Sequence, residues 1–213
     1  MTTALTRRTL ALGLAALPLP ALAQRPAALS AADQALVDRA AAYLQNLTEA
    51  KARFVQTDAR GVNTQGTVYL KRPGKARFDY YAPSGLLVVS DGSLVSVADS
   101  RLKTFESYPL MATPLSIFLA KRIRLDRDVV VTRVARTTDG FSITARDGKR
   151  KAEGQITLTF SDAPLALAGW TVSDAQGSAT RVRLSGLSRS PGLANSLFVL
   201  KDPRPRGVGR GKM

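Results

Sequence analysis

The sequence predicts a mainly β fold of the α+β class: one N-terminal helix, then an antiparallel meander broken by one short helix. Three observations lead there. From about Lys51 onward, apolar residues recur with period two in short β-rich runs. These runs are punctuated by turn signals such as Pro73-Gly74, Asp91-Gly92, Asp139-Gly140 and Asp147-Gly148. A stripe of helical period stands out in the segment before them.

In chain order, residues 1–23 read as a cleaved secretory leader. Arg7 and Arg8 precede an apolar run to Leu22, and Ala21-Leu22-Ala23 ends it. The run is shorter than the roughly 20 residues a bilayer span needs, and Pro18 and Pro20 interrupt it. Gln24 then begins the mature chain, which works outside the cytoplasm. Thr6-Arg7-Arg8-Thr9-Leu10 partly matches a twin-arginine signal, and a chance arginine pair in a general secretory signal fits equally well.

Ser30-Ala-Ala-Asp33 starts the helix, with Ser30 as cap and an acid in the first turn. Leu36, Val37, Ala40, Leu44 and Leu47 share one face, so the helix runs to about Leu47 and lies on something apolar. The expected strands are Ala52–Asp58, Gly66–Lys71, Ala76–Tyr81, Leu86–Ser90, Leu94–Ala98 and Lys103–Tyr108, then Val129–Thr137, Phe141–Arg146, Gln155–Phe160, Ala168–Ser173, Ala179–Leu184 and Leu197–Leu200. Such a meander curls into a barrel or a sandwich. No glycine-rich phosphate loop and no βαβ alternation interrupts it.

Between the two groups of strands stands Thr113-Pro114-Leu115-Ser116-Ile117-Phe118-Leu119-Ala120. A capping Thr and a Pro at the first helical position predict a helix of two turns. Leu115, Ile117, Phe118 and Leu119 cover nearly every side of it, so it must be enclosed. Two readings fit: a plug closing one end of a barrel, or a lid over a cavity for an apolar ligand. Residues 204–213 read as a flexible basic tail.

Composition narrows the function. About 190 residues remain after the leader, enough for a single domain with a real core. The chain has no cysteine and no histidine. Disulfides, a thiol-linked lipid anchor, thiol chemistry, most zinc sites and histidine acid–base catalysis are therefore excluded. No Gly-x-Ser-x-Gly elbow is present either. No enzyme activity, catalytic residue, metal or cofactor is expected. The formal charge is +15, from 31 basic and 16 acidic residues. An exported location argues against nucleic acid as the partner. Scattered loop cations, an anionic lipid surface or an acidic protein partner all fit this charge.

Several motifs, in this order, carry a resemblance. Phe54-Val-Gln56 comes first. Gly66 to Tyr80 follows, with Lys71-Arg72-Pro73-Gly74-Lys75 at its centre. Then come Pro83, Leu87-Val-Val-Ser90-Asp91-Gly92, Tyr108-Pro-Leu, Thr113-Pro114-Leu115 and, near the end, Leu197-Phe198. The basic Pro-Gly turn followed by Ser90-Asp91-Gly92 is the most specific combination. Over about Leu36 to Pro203 the chain resembles the LolA-type periplasmic outer-membrane lipoprotein carriers.

That resemblance implies a curved antiparallel sheet forming an incomplete barrel, covered by the N-terminal helix and a short lid helix. It implies a monomer whose cavity takes lipoprotein acyl chains. The cargo would come from an inner-membrane ABC-type release complex and go to an outer-membrane acceptor. Arg72 matches the family's arginine that bonds to the lid helices, and Leu115, Phe118 and Leu119 would form the lid. A turn-edge cation beside Pro73 is the plain alternative for Arg72. The expected acyl-chain lining is Phe78 and Tyr80, Leu87 and Val89, Val95 and Val97, Trp170 and Val172. Each also suits an ordinary core, and a one-residue slip reverses the face. Many relatives carry bulky aromatics where this chain has Leu94-Val-Ser-Val-Ala98, which implies a roomier cavity or a different cargo. A periplasmic sensing or interaction domain of the same fold, binding a lipoprotein or a membrane regulator without transporting it, is the alternative.

Overall fold

The computed structural model describes residues 29–123, 129–149 and 154–202. The expected leader, its cleavage point at Gln24 and the basic tail lie outside these residues.

Helix α1 (Ala31–Asn46) begins where Ser30 caps it, its Oγ accepting from the Asp33 N–H at 3.1 Å. Val37, Ala40 and Leu44 form its buried stripe, and burying Val37 and Leu44 stabilises its seat by roughly 2 kcal/mol each. Leu47 ends it, donating its N–H to the carbonyls of Tyr43 and Leu44.

Among the described residues eleven strands follow: β1 (Glu49–Thr57), β2 (Asn63–Lys71), β3 (Lys75–Tyr80), β4 (Leu86–Asp91), β5 (Leu94–Asp99), β6 (Thr104–Pro109), β7 (Val129–Thr137), β8 (Gly140–Asp147), β9 (Gln155–Asp162), β10 (Leu165–Ser173) and β11 (Ala179–Arg189). They form one antiparallel sheet in the order β6-β5-β4-β3-β2-β1-β11-β10-β9-β8-β7. The edges β6 and β7 do not pair, so the sheet is open. A 3₁₀ turn (Leu110–Ala112) and helix α2 (Leu115–Leu119) come between them in sequence.

The sheet is strongly bent. Four strand steps separate β3 from β10, roughly 19 Å in a flat sheet. Yet the rings of Phe78 on β3 and Trp170 on β10 are 6.0 Å apart. Their shared face is therefore concave, and α1 and α2 cover it. Tyr43 of α1 meets Phe160 of β9 edge-on at 6.1 Å. Ion pairs Arg39–Asp162 at 2.6 Å and Asp33–Arg136 at 2.7 Å hold the exposed side of α1.

Three expectations need correction. Leu197–Leu200 is not a strand; Asn195–Phe198 is a 3₁₀ turn, and Phe198 is buried. Its backbone is held by a side chain and not by a strand: Arg77 donates to the Leu197 carbonyl at 3.0 Å. Thr113 does not cap α2; its hydroxyl donates back to the Leu110 carbonyl and closes the 3₁₀ turn. Pro114 is consequently the cap residue, and α2 is five residues long.

Candidate functional site

The site is built around the β2–β3 turn. Gly74 lies there at φ +75°, and a Cβ on it would come within 2.7 Å of Gly92 Cα. Only glycine lets these two turns press together in that left-handed backbone. The Gly74 N–H donates to the Leu119 carbonyl at 2.7 Å, and Ser90 Oγ donates to the Gly74 carbonyl at 2.6 Å. The turn therefore satisfies one of the bare carbonyls at the end of α2.

Arg72 satisfies the next carbonyl. Its backbone N–H donates to Thr48 O at 2.7 Å, anchoring the turn to the start of β1. Its guanidinium donates to Ala120 O at 2.7 Å and to Leu44 O in the last turn of α1. One planar fork thus joins the C-terminal ends of both helices, a geometry the ammonium of lysine does not reproduce. Arg72 is 9% exposed, and its Nε finds no partner among the described residues. Burial lowers its pKa from the ordinary arginine value. Gln45 adds a second clamp: it donates to Lys121 O at 3.2 Å and accepts from the Ile123 N–H at 3.0 Å.

Under α2, the concave face is partly filled and partly hollow. Phe118 and Leu119 are fully buried, and Phe118 packs on Trp170 at a tilt, with ring centroids 5.4 Å apart. Beyond them, toward Pro114 and the half-buried Leu115, lies a cavity of about 370 Å³. Its walls include Phe78, Tyr80, Val88, Trp170, Val172 and Val182. Such a volume lies within the range of small-molecule sites, about 300–1,000 Å³. The polar marks in its wall are few: Gln56, Thr113 and Thr180. Tyr80 donates its hydroxyl to Gln56 Oε1 at 2.7 Å, and burial pushes its pKa up to about 12. The lining is mainly apolar; among the described residues no group of carboxylates is placed to hold a metal.

The expected lining divides by strand parity. Phe78, Tyr80, Trp170 and Val172 are brought together around the cavity. Phe78 stands opposite Val88, so Val88 shares the concave face. Leu87 and Val89 therefore face the other way, a correction that follows from the period of two. Val89 is buried all the same, on the convex side, where Arg77 of β3 holds the Phe198 turn. Val97 stands opposite Val88 and Val95 opposite Ser90, so both are concave, yet neither lines the cavity. Val95 is buried in the core beside it.

Sequence reasoning missed Gln45, Gln56, Gly74, Val88 and Ser90 as site residues. Gln56, Gly74, Val88 and Ser90 stood in quoted motifs, and their regular turn or strand pattern concealed the contacts. Gln45 carried no signal, being one polar residue on the exposed side of a helix.

Comparison with known proteins identifies the family. The family model for the outer membrane lipoprotein carrier protein LolA matches residues 45–201. An outer-membrane lipoprotein carrier protein of Methylobacillus flagellatus is 30% identical over 178 residues, which cover 78% of this chain and 85% of that one. The carrier protein of Chromohalobacter salexigens is 29% identical, covering 92% of each chain. Among solved structures, a LolA superfamily protein from Nitrosomonas europaea aligns at 10% identity and a TM-score of 0.46, over 79% of this chain and 97% of that one. The chain belongs to the LolA family of outer membrane lipoprotein carrier proteins.

Proposed function

We propose that this chain is a periplasmic carrier that takes lipoprotein acyl chains into the cavity beneath α2. It receives them from an inner-membrane ABC-type release complex and yields them to an outer-membrane acceptor. The carrying observation is an apolar hollow beside a short apolar helix whose C-terminal end is held by hydrogen bonds to its carbonyls and by apolar packing, with no covalent tie.

Energetics favour this arrangement. Each methylene removed from water contributes about 0.8 kcal/mol, so a sixteen-carbon chain gains roughly 12 kcal/mol gross. A carrier without fuel must release what it holds. Closed, α2 buries Ile117, Phe118 and Leu119 against the concave sheet. If cargo displaces them, one set of apolar contacts replaces another and the net change is small. Arg72, Gly74 and Gln45 would set how readily α2 leaves. Binding and release need no bond to be made or broken.

The test is direct. The purified mature chain is titrated with a fluorescent fatty acyl probe and then with a triacylated lipoprotein. The expected result is saturation at about one site and transfer of the lipoprotein from inner-membrane vesicles to a soluble complex. A folded sample that takes neither ligand refutes the reading. Binding without extraction from the membrane would instead favour a sensing domain.

A further inference from the structure

We propose a second site, on the convex face, that binds the phosphate groups of anionic phospholipids and sets the carrier on a bilayer. It lies apart from the acyl cavity and goes beyond the carrier reading.

The site begins at an irregularity in the pairing of β1 with β11. Lys51 stands opposite Ser188, but Arg53 stands opposite Ser185. Gly186 and Leu187 must therefore both fit against Ala52, a bulge. Gly186 has φ +63°, and the space around the position of its missing Cβ is open. This opens a notch of about 470 Å³ in the outer surface of the sheet. Into its lining come two cations, Lys51 and Arg53, and four hydroxyl residues, Thr67, Tyr81, Ser185 and Ser188. Thr67 and Tyr81 already hold each other at 2.8 Å, and Lys51 lies over the Tyr69 ring at 5.3 Å.

The positive charge continues along β11. Arg183 stands opposite Val55 and Arg181 opposite Thr57, both exposed and both on the face of Arg53. Among the described residues Lys51, Arg53, Arg181 and Arg183 form no ion pair. Two acids on this face are engaged elsewhere: Asp79 with Arg77 at 2.8 Å and Glu49 with Lys71 at 3.3 Å. Cations and hydroxyl donors around one notch match the oxygens of a phosphodiester. A line of further cations exceeds what one free phosphate uses and fits an array of headgroups. Tyr81, 44% exposed, supplies the amphipathic ring suited to headgroup depth. The same strands present Gln56, Thr180 and Val182 to the cavity on their inner side, so a bilayer held here lies across the sheet from the cavity and leaves α2 uncovered.

The full mature chain is sedimented with vesicles of phosphatidylcholine, with and without phosphatidylglycerol. Retention is expected only with phosphatidylglycerol, and it should weaken as salt is raised. Reversing Arg53→Glu with Arg183→Glu should weaken it about twentyfold or more, at about fivefold for each cation near the surface. Reversing Arg101→Glu with Lys103→Glu, exposed in the turn between β5 and β6, changes net charge equally and should cost under about threefold. Acyl-probe binding in the cavity should be unchanged in both, which separates failure here from failure of the carrier reading. Should the first pair fold poorly, Lys51→Gln with Arg181→Gln takes its place. Equal losses from the two charge-reversed pairs, or equal retention on neutral vesicles, overturn the proposal. So does displacement by millimolar inorganic phosphate at constant ionic strength, which would mean a site for the free ion. Tighter binding to polyglutamate than to vesicles would mean an acidic protein partner and also overturns it.

Discussion

The ring of Phe118 lies over the indole of Trp170, its centroid 5.4 Å away and its plane tilted by 30°. This one contact joins the short helix to the concave sheet at the border of the hollow. Trp170 is the chain's single tryptophan and is 3% exposed, so its emission reads this border directly.

Phe118→Ala should therefore do two things. It should lower stability by about 3 kcal/mol, as for a fully buried ring, read from the denaturant midpoint. It should also shift Trp170 emission to the red as water reaches the widened hollow. A saturating fatty acyl probe should reverse the shift. Emission that stays red with the probe bound would place the ligand elsewhere.

Arg72→Leu removes the donors that join Leu44 O to Ala120 O and leaves both carbonyls without them. The fold should survive with a loss of about 1–3 kcal/mol. Amide exchange should quicken across residues 115–120 far more than in β1 or β10. Arg72→Lys should behave nearly as badly, because one ammonium does not span both carbonyls. Uniform exchange across all strands and helices would show that Arg72 stabilises the fold generally and α2 not at all.

Gln45→Ala should loosen the segment just past α2, since it deletes both the bond to Lys121 O and the bond from Ile123 N–H. The expected cost is about 1 kcal/mol. Combined with Arg72→Leu, the effects on α2 exchange should be non-additive, because both side chains brace the same carbonyl stretch. Strict additivity would mean two independent fastenings.

Tyr80 gives a pH signature. Its folded pKa is raised to about 12, first by burial, with the Gln56 hydrogen bond acting the other way. A raised value means the neutral phenol is favoured in the folded state. Its stability contribution is complete below the unfolded value of about 10 and is lost as pH rises toward 12. Tyr80→Phe should flatten the fall in melting temperature between those values. It should also delete one late step from the ultraviolet titration of the five tyrosines.

Much of this architecture was legible in the residues. The period of two located the six strands before α2 and the five after it, because one face of each strand must be apolar to sit on a core. Ser30 and the stripe Val37, Ala40, Leu44 located α1 for the same reason at a different period. What failed, failed locally. Thr113 and Pro114 looked like a cap and a first turn, but Thr113 had a nearer carbonyl in Leu110. Leu197–Leu200 had strand residues, but Phe198 is buried from a 3₁₀ turn whose Leu197 carbonyl is taken by the Arg77 side chain.

By itself, then, the sequence determined α1 and the eleven strands up to Arg189, that neither disulfide nor histidine chemistry is available, and that the Pro-Gly turn and Ser90-Asp91-Gly92 belong together in one family pattern. Only the tertiary structure decided which side of β4 faces inward, and hence that Val88 replaces Leu87 and Val89. It also decided that Arg72 and Gln45 end up beside the same stretch after α2, and that a notch opens where Gly186 breaks the register. The reason is physical. Local patterns depend on neighbours in the chain, while parity, hollows and shared carbonyls depend on how far the sheet bends, which is settled by side chains many strands apart.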